Sequence, residues 1–364
     1  MLLIPTLALV AATACPPPAD GPTFALKAEH VHTGNASIEN GVVLVEDGKI
    51  KAVGANVSVP DGVPTIEVEG HLSAGLVALH DYSGGASENR DTTRMVLDTA
   101  DLALAYRGAH DDFDRLAEEG VTTVVLAPPS GSLSGGQAAV VKPGAGKLVA
   151  RGTHLHLCFS QAMFQFGRAP TSYGGALAEL EARMAAPEGG FAKLKAGETR
   201  ALLEASSRAE AQRAIAFAKR HGLAGVVYGA GRIGELAPAL KDAGLGAVLQ
   251  PFAPGASRRT RRAAVELAAA GVPFGYALDN PGLHTVSLRA AAAAAMREGL
   301  SAEAAWTALT SGAAQLAGVA DRVGAIAPGL DADLVLWSGP PTDLTSSAEA
   351  VWIDGEKVHG GDDE

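Results

Sequence analysis

The stretch Ala74-Gly75-Leu76-Val77-Ala78-Leu79-His80-Asp81-Tyr82 is an apolar run that breaks into His-Asp-Tyr and then Ser83-Gly84-Gly85. A short apolar run bounded by turn residues reads as a buried strand. Its one histidine stands at the end of the run. In a barrel of parallel strands, that end is where chemistry is placed.

Before it, residues 23–72 read as β. Val42 to Val45 and Ile50 to Val53 flank Asp47-Gly48, a hairpin signal, and Thr65 to Glu69 forms a further run. After it the pattern changes. Arg94 to Ala109 carries helical periodicity, and Asp111 to Glu119 predicts a second helix ending at Gly120. The β-branched run Val121 to Leu126 follows at once. The same punctuation recurs at Gly222, Gly244 and Gly271, before Leu223 to Tyr228, Leu245 to Gln250 and Val272 to Ala277. Glycine at a helix C-terminus followed by an apolar run marks repeated βα units, and near-continuous apolar strands imply a parallel sheet covered by helices. Weaker strands are Ala138 to Lys142, Leu155 to Phe159 and Ala201 to Ala205. Gln161 to Thr199 reads as a long connection over the barrel mouth, with a helix near Ala176 to Met184. The last helices are Leu283 to Arg297 and Ser301 to Ala317. Two β runs close the chain, Leu334 to Trp337 and a hairpin turning at Asp354-Gly355. Few strands lie at either end, and each set alone is marginal. The simplest assembly is therefore one barrel beside a small sheet domain built from both termini.

The bulk numbers agree. The chain has 364 residues, 47% hydrophobic and 19% charged, enough for a large core, and only 5% aromatic. A net charge of −11 argues against a nucleic-acid partner. Of the two cysteines, Cys158 reads as a buried small hydrophobe. Cys15 follows an apolar leader and Ala12-Thr13-Ala14, a pattern similar to a bacterial lipoprotein signal, with Pro16-Pro17-Pro18 as a tether. No Lys or Arg precedes the apolar run, as a standard signal would have. The alternatives are lipidation at Cys15, which places the protein in a bacterial cell envelope, and a plain apolar leader on a cytoplasmic protein. Lipid would be the only link to a membrane. Residues 1–21 are set apart from the fold.

Several stretches in one order resemble the amidohydrolase superfamily, and its imidazolonepropionase-like bacterial members in particular. Ala74 to Tyr82 is similar to the first barrel strand, whose pattern is Pro-Gly-Leu-Ile-Asp-x-His-x-His. Gly120 to Val124 is similar to the second strand, and Ser134-Gly135-Gly136-Gln137 to a glycine-rich loop. Ala277-Leu278-Asp279 resembles the Thr-Asp that closes the metal site. Gly324 to Gly329 with Asp331-Ala332-Asp333-Leu334 resembles the C-terminal signature. The resemblance spans residues 23–358. It implies an α/β fold: a TIM-like (β/α)8 barrel over residues 74–321 and a small β-sandwich from 22–73 plus 322–360. It also implies a hydrolase acting on carbon–nitrogen bonds of small amide or peptide-like molecules, with water activated by a divalent metal, zinc first.

The motif departs from the family at the metal. Ala74 stands for the Pro, Ala78 for the Asp and Tyr82 for the second His. A neutral phenol is a poor zinc ligand. By position the surviving set is His80, Glu204 and Asp279, with Asp279 also the general base, whereas the next ligand position falls near Tyr228-Gly229 with no histidine. Two readings stand. One is a remodelled His/Glu/Asp site holding one metal. The other is a barrel without catalytic metal that acts as a binding protein. A catalytic zinc takes about three protein ligands plus water, which is why the count matters. The loop Ser130 to Gln137, with Gly135, Gly136 and Gln137 as its contacts, could cradle a substrate carboxylate by backbone N–H groups or be a plain mobile loop, and His284 could touch a ligand. The pair His154 and His156 shares a strand face; Arg151-Gly152-Thr153 before it reads as the strand start, away from the catalytic end. His71 and His110 read as surface or helix-end residues, and Arg258 to Arg262 as the opening of a solvated helix. No Gly-x-Ser-x-Gly elbow, Walker loop or complete dinucleotide fingerprint occurs. Oligomeric state and substrate are not legible.

Overall fold

The computed structural model describes residues 21–34, 36–83, 89–108, 110–250, 256–278 and 287–361. Cys15, Asp279 and His284 lie outside them. The chain opens with β1 (Phe24–His32), β2 (Ser37–Glu46), β3 (Lys49–Gly54) and β4 (Thr65–Ala74), followed by β5 (Leu76–Asp81). Then come α1 (Asp111–Glu118), β6 (Val121–Leu126), β7 (Gly136–Lys142), β8 (Lys147–Cys158), α2 (Tyr173–Ala185), α3 (Gly189–Ala196) and β9 (Arg200–Glu204). The repeats continue through α4 (Arg208–His221), β10 (Gly225–Tyr228), α5 (Ala237–Ala243), β11 (Gly246–Leu249), α6 (Arg258–Ala270) and β12 (Phe274–Tyr276). The chain closes with α7 (Leu288–Met296), α8 (Ala302–Leu309), α9 (Ser311–Ala317), β13 (Leu334–Trp337), β14 (Ala348–Ile353) and β15 (Glu356–His359).

Two sheets result. One runs β12-β11-β10-β9-β8-β7-β6-β5. Its ends meet where Leu278 N–H donates to the His80 carbonyl at 2.9 Å, so the sheet is nearly closed and barrel-like. Most neighbours are parallel, but β7 runs antiparallel to both β6 and β8. This corrects the expectation of an all-parallel barrel. The reversed strand is buried along its length and apolar over Ala138 to Val141, so its residues look like those of a parallel strand. The second sheet, β15-β14-β13-β4-β1-β2-β3, draws strands from both ends of the chain. It is hydrogen-bonded as one sheet and curls back, with Ile50 N–H donating to the Leu330 carbonyl at 2.8 Å.

Local chemistry accounts for most boundaries. Asp47-Gly48 and Asp354-Gly355 both hold positive φ (53° and 72°; 49° and 77°), the turn that matches strand twist. Helices α4, α5 and α6 end on left-handed Gly222, Gly244 and Gly271. Two helical expectations fail. Residues 94–109 hold only a short 3-10 turn at Leu102–Leu104 among the described residues. Their backbone is spent on the next layer instead: Leu97 N–H donates to the Ser134 carbonyl and Gln137 N–H to the Ala100 carbonyl. Buried Met95 and Leu102 stand seven apart, a spacing that mimics a helix face. The single helix expected over Ser301 to Ala317 is broken at Thr310, whose hydroxyl donates to the Trp306 carbonyl at 2.7 Å while its own φ and ψ are −130° and −103°.

A buried ion cluster ties the sheets together. The ammonium of Lys142, at the end of β7, meets Asp331 at 2.8 Å, Asp333 at 2.9 Å and Asp354. Lys142 is 1% exposed as a side chain. Burial works to discharge it, but the three carboxylates win and hold its pKa above the usual range.

Candidate functional site

The C-terminal ends of the parallel strands converge on one mouth, and three of them end in polar side chains. His80 is the penultimate residue of β5, Glu204 ends β9 and Tyr228 ends β10. The imidazole of His80 stacks on the Tyr228 ring, centroids 3.8 Å apart and planes 14° apart. Tyr82 meets the same imidazole edge-on at 4.9 Å. Tyr228 thus lies beside His80 where the resemblance places a further metal ligand.

Glu204 is the buried charge of the mouth, 4% exposed. One oxygen accepts the Ser130 hydroxyl at 2.6 Å and that of Ser160 at 3.4 Å. The other accepts the His156 Nε2–H at 2.8 Å. Burial alone would raise its pKa. The His156 hydrogen bond and the Ser130 hydroxyl outweigh this, with His80 adding attraction, so the carboxylate is held below its ordinary range and stays ionised.

His156 is itself held in one tautomer. Gly135 N–H donates to its Nδ1 at 3.1 Å, so Nδ1 is the acceptor and Nε2 carries the proton offered to Glu204. Only glycine permits this approach, because a Cβ at 135 would stand 2.8 Å from Nδ1. The chain from Gly135 through His156 to Glu204 therefore needs the glycine-rich loop as a backbone donor to the protein's own histidine. Gln137 is likewise committed: its N–H reaches the Ala100 carbonyl at 2.7 Å and its amide the Asp98 carbonyl at 3.0 Å. Gly136 sits in β7 opposite His156.

The loop is pinned from outside by Arg168. Its guanidinium donates to the carbonyls of Thr92 (2.6 Å), Arg94 (2.8 Å), Met163 (2.8 Å) and Gly131. This fixes the segment next to Ser130.

Of the residues expected at the site, the structure brings His80 and Glu204 to the mouth. The reading of His154 and His156 is corrected in part. β8 begins at Lys147, so His156 lies near the catalytic end and partners Glu204. His154, on the same face but nearer the strand start, meets the Leu316 carbonyl at 3.1 Å. Burial pushes its pKa down to about 4, with Arg200 adding repulsion. Sequence reasoning set His156 aside as part of an ordinary strand face and gave Ser130 only as the start of a loop for a substrate carboxylate. A signal existed for the histidine: the apolar run continues through Leu157, Cys158 and Phe159, which puts the strand end after it. Ser130 follows Pro128-Pro129 in a loop and carries no motif. Cys158 is buried as expected, and burial pushes its thiol well above the usual range, which removes it as a nucleophile. His110 caps α1 by accepting from Asp112 N–H at 3.2 Å.

The described donors do not complete a metal site. His80 and Glu204 are two, and both Glu204 oxygens already accept hydrogen bonds. No group of three His, Cys, Asp or Glu among the described residues is arranged to hold a metal ion. A catalytic zinc takes about three protein ligands.

Comparison with known proteins gives a family likeness over part of the chain and a fold likeness over most of it. Residues 192–358 match the family described as Amidohydrolase family. The curated protein Amidohydrolase tasK of Hapsidospora irregularis is 36% identical over 80 residues, which is 22% of this chain and 8% of that protein. The chain thus spans under a tenth of that relative's length. Among solved structures, an amidohydrolase from Thermotoga maritima MSB8 superposes with a TM-score of 0.81 at 24% identity, covering 93% of this chain and all of that one. A prolidase complexed with N-methylphosphonate-L-proline gives a TM-score of 0.60 at 15% identity, covering 93% and 100%. At these identities the likeness speaks for the fold.

Proposed function

We propose that the chain is a member of the amidohydrolase superfamily, whose family model matches residues 192–358, and that it is a hydrolase cleaving carbon–nitrogen bonds of small amide or peptide-like molecules at the mouth formed by β5, β9 and β10. The observation that carries this is Glu204. A buried carboxylate held ionised by His156, Ser130 and Ser160 beside His80 at the strand ends is a candidate for proton transfer. In the proposal Glu204 moves the proton, and His156 and Gly135 hold it in position. His80 and Tyr228, buried and stacked on each other, back the site beside Glu204. Asp279, outside the described residues, serves as a second base. The proline ligand of the prolidase relative fits a peptide-like substrate class. A divalent metal, zinc first, is the group by which the superfamily activates water. The described donors do not complete its coordination, and no step is routed through it.

The test is turnover of a panel of dipeptides, N-acyl amino acids and cyclic amides by the purified chain, with Glu204→Gln and His80→Ala as controls. Turnover that falls about 10²-fold or more in Glu204→Gln is the expected result. Wild-type protein silent on the whole panel overturns the hydrolase reading. A second reading, an amide-binding barrel without turnover, is favoured by one observation: Tyr228 and Tyr82 pack against His80. It predicts saturable binding of panel members with no product. For the leader we propose lipidation at Cys15 and an envelope location, tested by the mass of the mature N-terminal peptide.

A further inference from the structure

We propose that His30, His71 and His32 form an acid-released catch that holds β1 to β4 where the terminal sheet meets the barrel. A register shift brings the three together. Simple alternation would turn Lys27, Glu29 and Val31 outward, but the pairing of β1 with β4 slips between Ala28 and His30. The slip sends Val31 into the core after Leu26 and Ala28. It turns His30 and His32 onto the outer face that His71 of β4 shares, where all three are half-buried. His30 stands opposite His71, with ring centroids 4.5 Å apart and planes 24° apart. The His71 and His32 rings are nearly coplanar, 8° apart, with His71 Nδ1 2.8 Å from His32 Nε2. At that distance one proton lies between the two nitrogens, donated by one ring and accepted by the other.

The contact tolerates one added proton but not two. With both rings charged, each facing nitrogen carries a proton, the hydrogen bond is lost, and the rings must part. The surroundings oppose the second proton. Burial first, then His71 and His30, push His32 down to about 4; burial and His30 lower His71 against the attraction of Glu29. On β1, Glu29 accepts the Gly70 N–H at 3.2 Å, and Lys27 is paired with Glu67 of β4 at 2.8 Å. On β4, Glu69 lies two residues before His71. From β2, Glu39 stands opposite His30 and Ser37 opposite His32. From β13, uncharged Trp337 stands opposite His71. Glu29, Glu39 and Glu69 are exposed, where solvent and salt weaken their pull. The catch sits at a junction. Two residues past His71, the Ser73 Oγ accepts the Trp337 Nε1–H at 2.8 Å, and the Trp337 ring lies where a Cβ on Gly120, just before β6, would meet it at 2.7 Å. β1 runs on to Gly34, where a Cβ would stand 3.7 Å from that of Ala325. Parting the rings therefore loosens the ends of β1 and β4 beside the barrel. A histidine whose folded pKa is lowered contributes stability that is complete above 6.5 and is lost as pH falls toward 4. The catch is closed at neutral pH and opens across that range.

Hydrogen exchange of the full chain, read by peptide mass spectrometry at pH 7.5 and 4.5 and corrected for the intrinsic pH dependence of exchange, tests this locally. The reference is α6, which carries no histidine, because global loosening through His154 lowers every peptide alike. Relative to α6, peptides covering Phe24–His32 and Thr65–Ala74 should lose protection about tenfold or more at pH 4.5. His32→Gln keeps a hydrogen-bonding side chain beside His71 but cannot titrate. In that variant the same peptides should stay within about twofold of their pH 7.5 protection. Circular dichroism melts confirm that the variant folds; if it does not, His71→Gln replaces it with the same expectation. Protection of β1 and β4 that is unchanged at pH 4.5, that falls no further than in α6, or that falls as far in the variant overturns the proposal.

Discussion

Replacing Lys142 by Met removes the cation at the centre of the ion cluster between the two sheets. The loss is not shared evenly by its three carboxylates. Asp331 keeps Arg322 at 2.7 Å and Lys49 at 2.8 Å, and Asp354 keeps Lys147 at 3.2 Å. Asp333 keeps only the Asp354 N–H at 2.9 Å on one oxygen, and its other oxygen has no hydrogen-bond partner among the described residues. The cost therefore falls on Asp333. Removing one partner of a buried ion pair costs about 3–5 kcal/mol. The low end applies near pH 6, because burial already pushes the Asp333 carboxyl up to about 6 against the attraction of Lys142, and protonation relieves the unpaired charge. The sign follows. A carboxyl whose folded pKa lies above its unfolded 3.8 contributes stability that is complete below 3.8 and is lost as pH rises through the folded value. Without Lys142 that folded value rises further. The deficit of Lys142→Met against wild type should then grow between pH 6 and 8, by at most about 1.4 kcal/mol per pH unit. Urea denaturation at pH 6, 7 and 8 measures it. Asp333→Asn in the same background should recover about half of the loss and flatten the pH dependence. A Lys142→Met variant within about 0.5 kcal/mol of wild type at every pH, or strict additivity with Asp333→Asn, would refute the reasoning.

His154→Gln keeps a donor for the Leu316 carbonyl but cannot titrate. Wild type holds His154 neutral, with a folded pKa of about 4 against 6.5 unfolded. That contribution is complete above 6.5 and fades as pH falls toward 4, by up to about 3 kcal/mol. Urea midpoints between pH 7 and 4.5 should fall less steeply in the variant; equal slopes would remove His154 from the acid response. Gly135→Ala brings a Cβ within 2.8 Å of both His156 Nδ1 and the Pro128 Cβ. It should destabilise the protein by about 1–3 kcal/mol and cut turnover. A melting curve and turnover equal to wild type would show that the loop does not hold His156.

Much of this protein is legible along the chain, because hairpin turns and helix ends are decided within a few residues. Asp47-Gly48, Asp354-Gly355 and the glycines closing α4, α5 and α6 act through their own backbone conformation, and no distant contact is needed to read them. The apolar run ending in His80 marks the mouth for the same reason: burial along a strand shows in composition. The reversed β7 does not show, since an interior strand is apolar whichever way it runs. Nor does the course of residues 94–109, where spacing fits a helix but the hydrogen bonds go to residues 134–137. The site depends most on tertiary structure. Ser130 and Gly135 share one loop while His156 and Glu204 lie near the ends of two other strands, and beyond the glycine-rich run at 134–137 and the ligand position at Glu204 no motif joins them. Their chemistry is a matter of distances across neighbouring strands, set by register and by one missing Cβ at Gly135. Composition and spacing identified the barrel and the histidine at its mouth. Only the packed strands decided which carboxylate is held charged there and which hydroxyl faces it.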